Sequence, residues 1–224
     1  MKSILRFVLK KITPQFFRNI ELNRFMKHNL PVEFVNHINL LTKDHLVIDV
    51  GANIGMVSEC LAKKGSKVIS FEPNNKAFIE LKKVAKKYNN IEIMNAAVGT
   101  EDKNVKLYLH KQSNSSRVDL TQASSLLAKK PNISTEIYEE VKQINFAKFL
   151  KSLKIKVELI KIDIEGYEIE LINHLLDQNS LDNVKKIYLE THEEKIKELI
   201  VPTNKLKNRI KSEGFEEKFC FDWP

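Results

Sequence analysis

The chain has 224 residues, 37 basic against 29 acidic side chains, and a formal net charge of +8. Apolar residues at 42% and charged residues at 29% describe a globular protein long enough to bury one sizeable core, which excludes disordered and collagen-like classes. All but five of the basic residues are lysine, so the arginine forks that read guanine and grip phosphate are scarce, and nucleic acid is not an expected partner.

Residues 1 to about 40 carry apolar side chains at helical spacing, punctuated by Pro14 and Pro31. The opening MKSILRFVLKKI is basic and amphipathic, without a small-residue cleavage site, so no secretory leader is expected. The preferred use of such a helix is packing against the domain or a second copy in a homo-oligomer; peripheral membrane contact is the alternative. No apolar run reaches the length of about 18 residues that a membrane span needs. A cytoplasmic location, at most at the inner membrane face, is expected. Cys60 and Cys220 form no ligand spacing, so neither a disulfide framework nor structural zinc is expected, and no metal site is assigned.

His45–Val50 reads as a buried parallel strand, and Ile54–Lys64 as the helix after it. A strand over Lys67–Phe71, a helix over Asn75–Tyr88 and a strand over Ile91–Ala97 follow. This alternation predicts a parallel sheet with right-handed crossovers. Val105–Leu109 reads as an extra strand, 110–135 as an irregular serine-rich stretch, and Thr135–Leu153 as a helix. Then come strand Val157–Ile162, helix Tyr167–Leu176, strand Lys186–Leu189, helices near Glu193–Ile200 and Thr203–Ser212, and a last strand Phe215–Phe221.

Five motifs sit at strand ends. VIDVGANIG (47–55) places Asp49, Gly51, Asn53 and Gly55 at a strand-to-helix turn. Its G-x-x-x-G lacks the third glycine of a pyrophosphate loop, which points to a cofactor without a diphosphate there, such as S-adenosylmethionine. In SFEP (70–73), Glu72 lies 23 residues beyond Asp49, where an acid accepts both ribose hydroxyls. In NAAVG (95–99), Asn95, Ala96 and Ala97 leave room for a flat ring. In IKIDIEGYE (160–168), strand alternation aims Lys161, Asp163 and Glu165 to one side, and such carboxylates orient an acceptor, take a proton or hold a metal. In YLETH (188–192), Glu190 and His192 reach the same edge. Each has a bland counterpart, such as a tight turn, a solvated strand-end acid or a salt-bridged helix start. Only 6 glycines occur, and Gly51, Gly55, Gly99 and Gly166 all mark these motifs, on one expected sheet edge.

Taken together, VIDVGANIG, FEP, NAAVG, IKIDIEGYE and ETH resemble the FkbM-type S-adenosylmethionine-dependent methyltransferases over roughly residues 45–220. The resemblance implies an α/β class I methyltransferase fold: a Rossmann-like, doubly wound, mostly parallel sheet with a C-terminal antiparallel strand. It implies a variable lid at about 105–153 that includes Ser124-Ser125-Leu126 in a methyltransferase domain 43–224; the helical segment 1–42 departs from the family pattern and is expected to pack on the core. Asp49, Gly51, Asn53 and Gly55 would flank the methionine part of S-adenosylmethionine, Glu72 would hold its ribose, and Asn95, Ala96 and Ala97 its adenine. Asp163, Glu165 and His192 would face the acceptor, a small molecule or glycan hydroxyl, with S-adenosylhomocysteine as product. Alternatives are a nucleotide-dependent oxidoreductase on a similar sheet and a non-catalytic binding module.

Overall fold

The computed structural model describes residues 14–110 and 133–223. The expectations for the basic N-terminal helix and for Ser124-Ser125-Leu126 lie outside the described residues. Helices α1 (Pro14–Asn29) and α2 (Val32–Asn39) precede β1 (Leu46–Val50), α3 (Met56–Lys63), β2 (Lys67–Phe71), α4 (Asn75–Ala85) and β3 (Ile91–Met94). The chain continues through β4 (Ala97–Gly99), β5 (Lys103–His110), β6 (Ile133–Asn145), α5 (Phe146–Ser152), β7 (Val157–Ile162), α6 (Glu168–Asp177), β8 (Val184–Leu189), α7 (Ile200–Ser212) and β9 (Phe219–Cys220).

Six strands form one sheet in the order β3-β2-β1-β7-β8-β9, every pair parallel. The order reverses between β1 and β7, which opens a crevice at their carboxyl ends. Side-chain alternation sorts the two faces. Leu46, Ile48 and Val50 of β1 share a core with Phe146 and Leu150 of α5, Leu171 and Leu175 of α6, and Leu206 and Ile210 of α7. Val47, with Val68, Leu159 and Tyr188, packs instead against Leu22 of α1, Phe34 and Ile38 of α2, and Cys60 and Leu61 of α3. Covered on both sides, β1 is buried at all five positions, so it reads as a continuous apolar run. Asp49 is its polar exception. α1 is further tied to α3 by Arg18, whose guanidinium reaches the fully buried Glu59 carboxylate at 2.5 Å.

Four expectations change. The last strand is parallel to β8, with Ile187 opposite Phe219, and no antiparallel strand joins this sheet among the described residues. Ile91–Ala97 is two strands: β3 stays in the main sheet, whereas β4 enters a second sheet of order β4-β6-β5. Most of Thr135–Leu153 is strand; only Phe146–Ser152 is helical. Along β6, Ile137, Glu139, Val141 and Gln143 turn inward while Glu136, Tyr138, Glu140 and Lys142 stay exposed. That period of two wins because Val141 pairs with Val105 and packs on Leu107 of β5. The helices expected near Glu193–Ile200 and Thr203–Ser212 are one α-helix entered through a single 3-10 turn at Lys197–Leu199. No helix of the described residues is long and apolar enough to cross a membrane.

Candidate functional site

A cavity of about 340 Å³ opens at the crevice between β1 and β7. It falls within the size range of small-molecule sites. Gly51, Ala52 and Asn53 after β1, Glu72 and Pro73 after β2, Ala96 and Ala97 before and in β4, and Asp163, Ile164 and Glu165 after β7 all line it. Seven of the residues expected at the cofactor or acceptor therefore meet here, Gly51, Asn53, Glu72, Ala96, Ala97, Asp163 and Glu165, together with Lys161 and Glu190 of the same motifs. Leu107 of the second sheet, Lys195, Trp223 and, from α1, Phe25 complete parts of the wall.

The loop after β1 is held from both sides. Gly51 and Ala52 donate their N–H groups to the Phe71 carbonyl at 3.0 and 2.9 Å. Gly51 has φ +75°, and a Cβ there would sit 1.8 Å from the Asp163 carbonyl oxygen. The glycine thus serves a close approach between two strand-end loops as well as a turn. Lys161 bridges the same two loops. Its Nζ donates to the Gly51 carbonyl at 2.8 Å and lies 3.5 Å from Asp49 Oδ1 and 3.4 Å from Asp163 Oδ2. Burial opposes its charge, but Asp163 and Asp49 outweigh that and hold the ammonium above the ordinary lysine range.

Glu72 is almost fully buried, yet its carboxylate reaches the cavity wall. Oε2 accepts the Asn53 N–H and Oε1 the Asn74 N–H, both at 2.7 Å, which leaves lone pairs on each oxygen for hydroxyl donors. Burial pushes this carboxyl up to about 7 against the pull of those two N–H groups. Asn74 also caps α4, accepting from Lys76 and Ala77.

At the acidic turn, strand alternation ends with Ile162. Glu165 arrives by a different route: its φ of +61° and that of Gly166 at +111° swing the chain back over the cavity. Glu168 locks this turn, accepting from the N–H groups of Ile164 and Gly166 at 2.9 Å each. Behind it lies His192, 1% exposed. Its Nε2 is 3.3 Å from Glu165 Oε2, 3.4 Å from Glu190 Oε1 and 3.9 Å from Asp163 Oδ1; its Nδ1 is 3.2 Å from Glu168 Oε1. Burial works against the imidazolium, but the Glu168, Glu190 and Asp163 charges raise it above the ordinary histidine value. Burial likewise opposes ionisation of Asp163, but Lys161 and His192 keep its carboxyl below the usual range. Burial and the Asp163 charge push Glu190 the other way. Two adjacent carboxyls are therefore pushed apart, the pattern of an acid–base pair.

Four residues expected at the cofactor or acceptor do not line the cavity. Asp49 is fully buried, accepting from the Ser58 hydroxyl at 2.6 Å and facing Lys161, so it supports the loop from below. Gly55 packs against Leu81 of α4. Asn95 donates its side-chain N–H to the carbonyls of Glu72 and Pro73 at 3.0 and 3.2 Å, pinning one loop to the next. His192 stands behind Asp163 and Glu165 rather than at the surface. Gly99 leaves the expected edge altogether, lying in β4 against the Gln143 side chain. No motif surrounds Lys195, Leu107 and Trp223, so the sequence does not mark them; Lys195 donates to Glu190 at 2.8 Å.

Residues 49–215 match the model of the methyltransferase FkbM domain. The chain belongs to the FkbM methyltransferase family. The matched segment is an S-adenosylmethionine-dependent methyltransferase domain, which leaves the oxidoreductase alternative without support. Ribosomal RNA small subunit methyltransferase A of Lysinibacillus sphaericus is 31% identical over 91 residues, covering 41% of this chain and 31% of that protein. The match thus spans less than a third of that relative's length. Methyltransferase 1 of Beauveria bassiana is 24% identical over 181 residues, covering 69% of this chain and 72% of that protein. Among solved structures, a fibrillarin/Nop5p complex superposes with a TM-score of 0.41 at 16% identity, covering 77% of this chain and 63% of that chain.

The FkbM-family cavity fits the methyl donor chemically. It offers a buried carboxylate with spare lone pairs for a ribose diol, the small side chains of Ala96 and Ala97, and the backbone of 51–53.

Proposed function

We propose that this protein methylates a hydroxyl oxygen of a sugar, glycan or secondary metabolite. The observation that carries this reading is the cavity wall itself, where the Glu72 carboxylate and the Asp163–Glu165 turn face one space. Glu72 holds the ribose, Ala96 and Ala97 flank the adenine, and residues 51–53 run beside the methionine part. S-adenosylmethionine, when bound, supplies an electrophilic methyl group on a sulfonium that leaves as a neutral thioether. Asp163, kept ionised by Lys161, accepts the proton at the acceptor hydroxyl, and Glu165 orients that hydroxyl. His192, buried behind them, acts through Asp163 and Glu165 as a positioning group.

Two outcomes test these roles. Asp163→Ala is expected to bind S-adenosylhomocysteine about as well as wild type and to lose at least about 100-fold in turnover, the scale of a general base. Turnover within a few-fold of wild type removes Asp163 from the chemistry. The acceptor class is read by S-adenosylhomocysteine release from a panel of hydroxylated glycans and metabolites; release with nucleic acid alone overturns the reading.

The pH dependence of cofactor binding follows from Glu72. Its carboxyl lies at about 7 in the free protein, above the ordinary 4.5, so it is largely protonated below neutrality. A ribose diol needs the ionised form to accept both hydroxyls. Affinity for S-adenosylhomocysteine is therefore expected to strengthen as pH rises through about 7 and then to level off. Calorimetric titration from pH 6 to pH 8 checks this, and a flat profile would contradict it.

A further inference from the structure

We propose that Asp163, Glu165 and His192 form a divalent cation site at the cavity wall, best matched to Mn²⁺, with Glu190 beside it. One ligand atom from each of the three, an oxygen from each carboxylate and a histidine nitrogen, lies within 4.8 Å of the other two. The independent observation is His192. Its Nε2 is buried and makes no hydrogen bond, although carboxylates crowd around that side of the ring. Charge-assisted hydrogen bonds close to about 2.7–2.9 Å. The contacts of Nε2 stay open at 3.3 Å to Glu165 and 3.4 Å to Glu190. Ligands on a cation at 2.0–2.2 Å stand about 2.9–3.5 Å apart along a coordination edge; the Glu165 spacing suits a shared ion, and Asp163 Oδ1, 3.9 Å from Nε2, must close by a few tenths of an ångström to join it.

The remaining oxygens divide the work consistently. Asp163 Oδ2 faces Lys161 and leaves Oδ1 turned toward His192. Glu168 is committed to the N–H groups of Ile164 and Gly166, and its Oε1 stands 3.2 Å from Nδ1. That places the imidazole proton on Nδ1 and turns the Nε2 lone pair to the site, the outer carboxylate–histidine arrangement of metal centres. Two carboxylates and one imidazole favour Mn²⁺ over softer ions. Asp163 and Glu165 line the cavity, which gives the ion and an acceptor oxygen a common entrance. A cation there would bind the acceptor hydroxyl and lower its pKa, easing the demand on a general base. That last role rests on the methyl-transfer reading; the site itself does not.

Mn²⁺ added to the 224-residue chain, without donor or acceptor, is followed by electron paramagnetic resonance. The expected result is one bound Mn²⁺ per chain, seen as loss of the free-ion signal, with affinity at least about tenfold weaker in Glu165→Gln and His192→Gln. Spin-echo modulation from one histidine nitrogen is expected in wild type, which keeps the test decisive if a variant fails to fold. No stoichiometric binding by wild type, binding unchanged in the variants, or no nitrogen modulation overturns the proposal. Because the readout needs no methyl transfer, an inactive enzyme cannot be mistaken for a missing ion.

Discussion

Lys161→Met is expected to lower folding stability by about 3–5 kcal/mol, the cost of removing one partner from a buried ion cluster. Methionine keeps the apolar stem but deletes the ammonium. Asp49 is fully buried, and its Oδ1 has no hydrogen bond, so Lys161 at 3.5 Å is the charge it faces. Asp163 loses its 3.4 Å partner at the same time, and the Gly51 carbonyl loses its donor. The loops after β1 and β7 are then joined by two carboxylates of like charge. A urea melt with unchanged slope and a lower midpoint checks the prediction. A loss below about 1 kcal/mol, the range of exposed pairs, would show that water reaches this cluster.

Gly51→Ala is expected to be nearly as costly in stability and worse in function. The left-handed backbone alone disfavours a side chain by roughly 1–2 kcal/mol. The larger problem is the Asp163 carbonyl, 1.8 Å from the new Cβ, because backbone cannot rotate away as a side chain would. The β1 and β7 loops must separate, and that moves Asp163 and Glu165 relative to residues 51–53. A displacement of this kind costs about 100-fold or more in turnover. Gly55→Ala is the informative contrast. It shares a positive φ, but its Cβ would meet the Leu81 Cδ1 at 2.8 Å, a flexible side-chain end. A stability loss of about 1–2 kcal/mol with a far smaller loss of turnover is expected there. Equal losses of turnover in the two variants would mean that loop conformation, not the approach to Asp163, sets the requirement.

The strand-end motifs were legible because a parallel strand buried on both faces is a continuous apolar run, so its polar end stands out. Gly51, Glu72 and Asp163 each stand directly after the last residue of such a strand, and the fold brings all three to the cavity. What was not legible depends on contacts between distant segments. Asp49 looks like a site residue by position, yet alternation sends it into the face occupied by Ser58 and Ser70. The β6 segment carries apolar residues that fit helix or strand, and β5, more than 20 residues earlier, decides for strand. Glu165 reaches the site through a left-handed residue that no spacing rule anticipates. The association of His192 with Asp163, Glu165 and Glu190 joins the ends of two strands, β7 and β8, and so appears only once they pair.

The role of Glu72 carries the account from fold to function. Calorimetric titration of the 224-residue chain with S-adenosylhomocysteine, wild type beside Glu72→Ala, tests it most directly. One site per chain is predicted in wild type, with affinity at least about tenfold weaker in the variant, the scale of losing charge-assisted hydrogen bonds to the ribose. Equal affinity in the two proteins, or no binding to wild type, would contradict it.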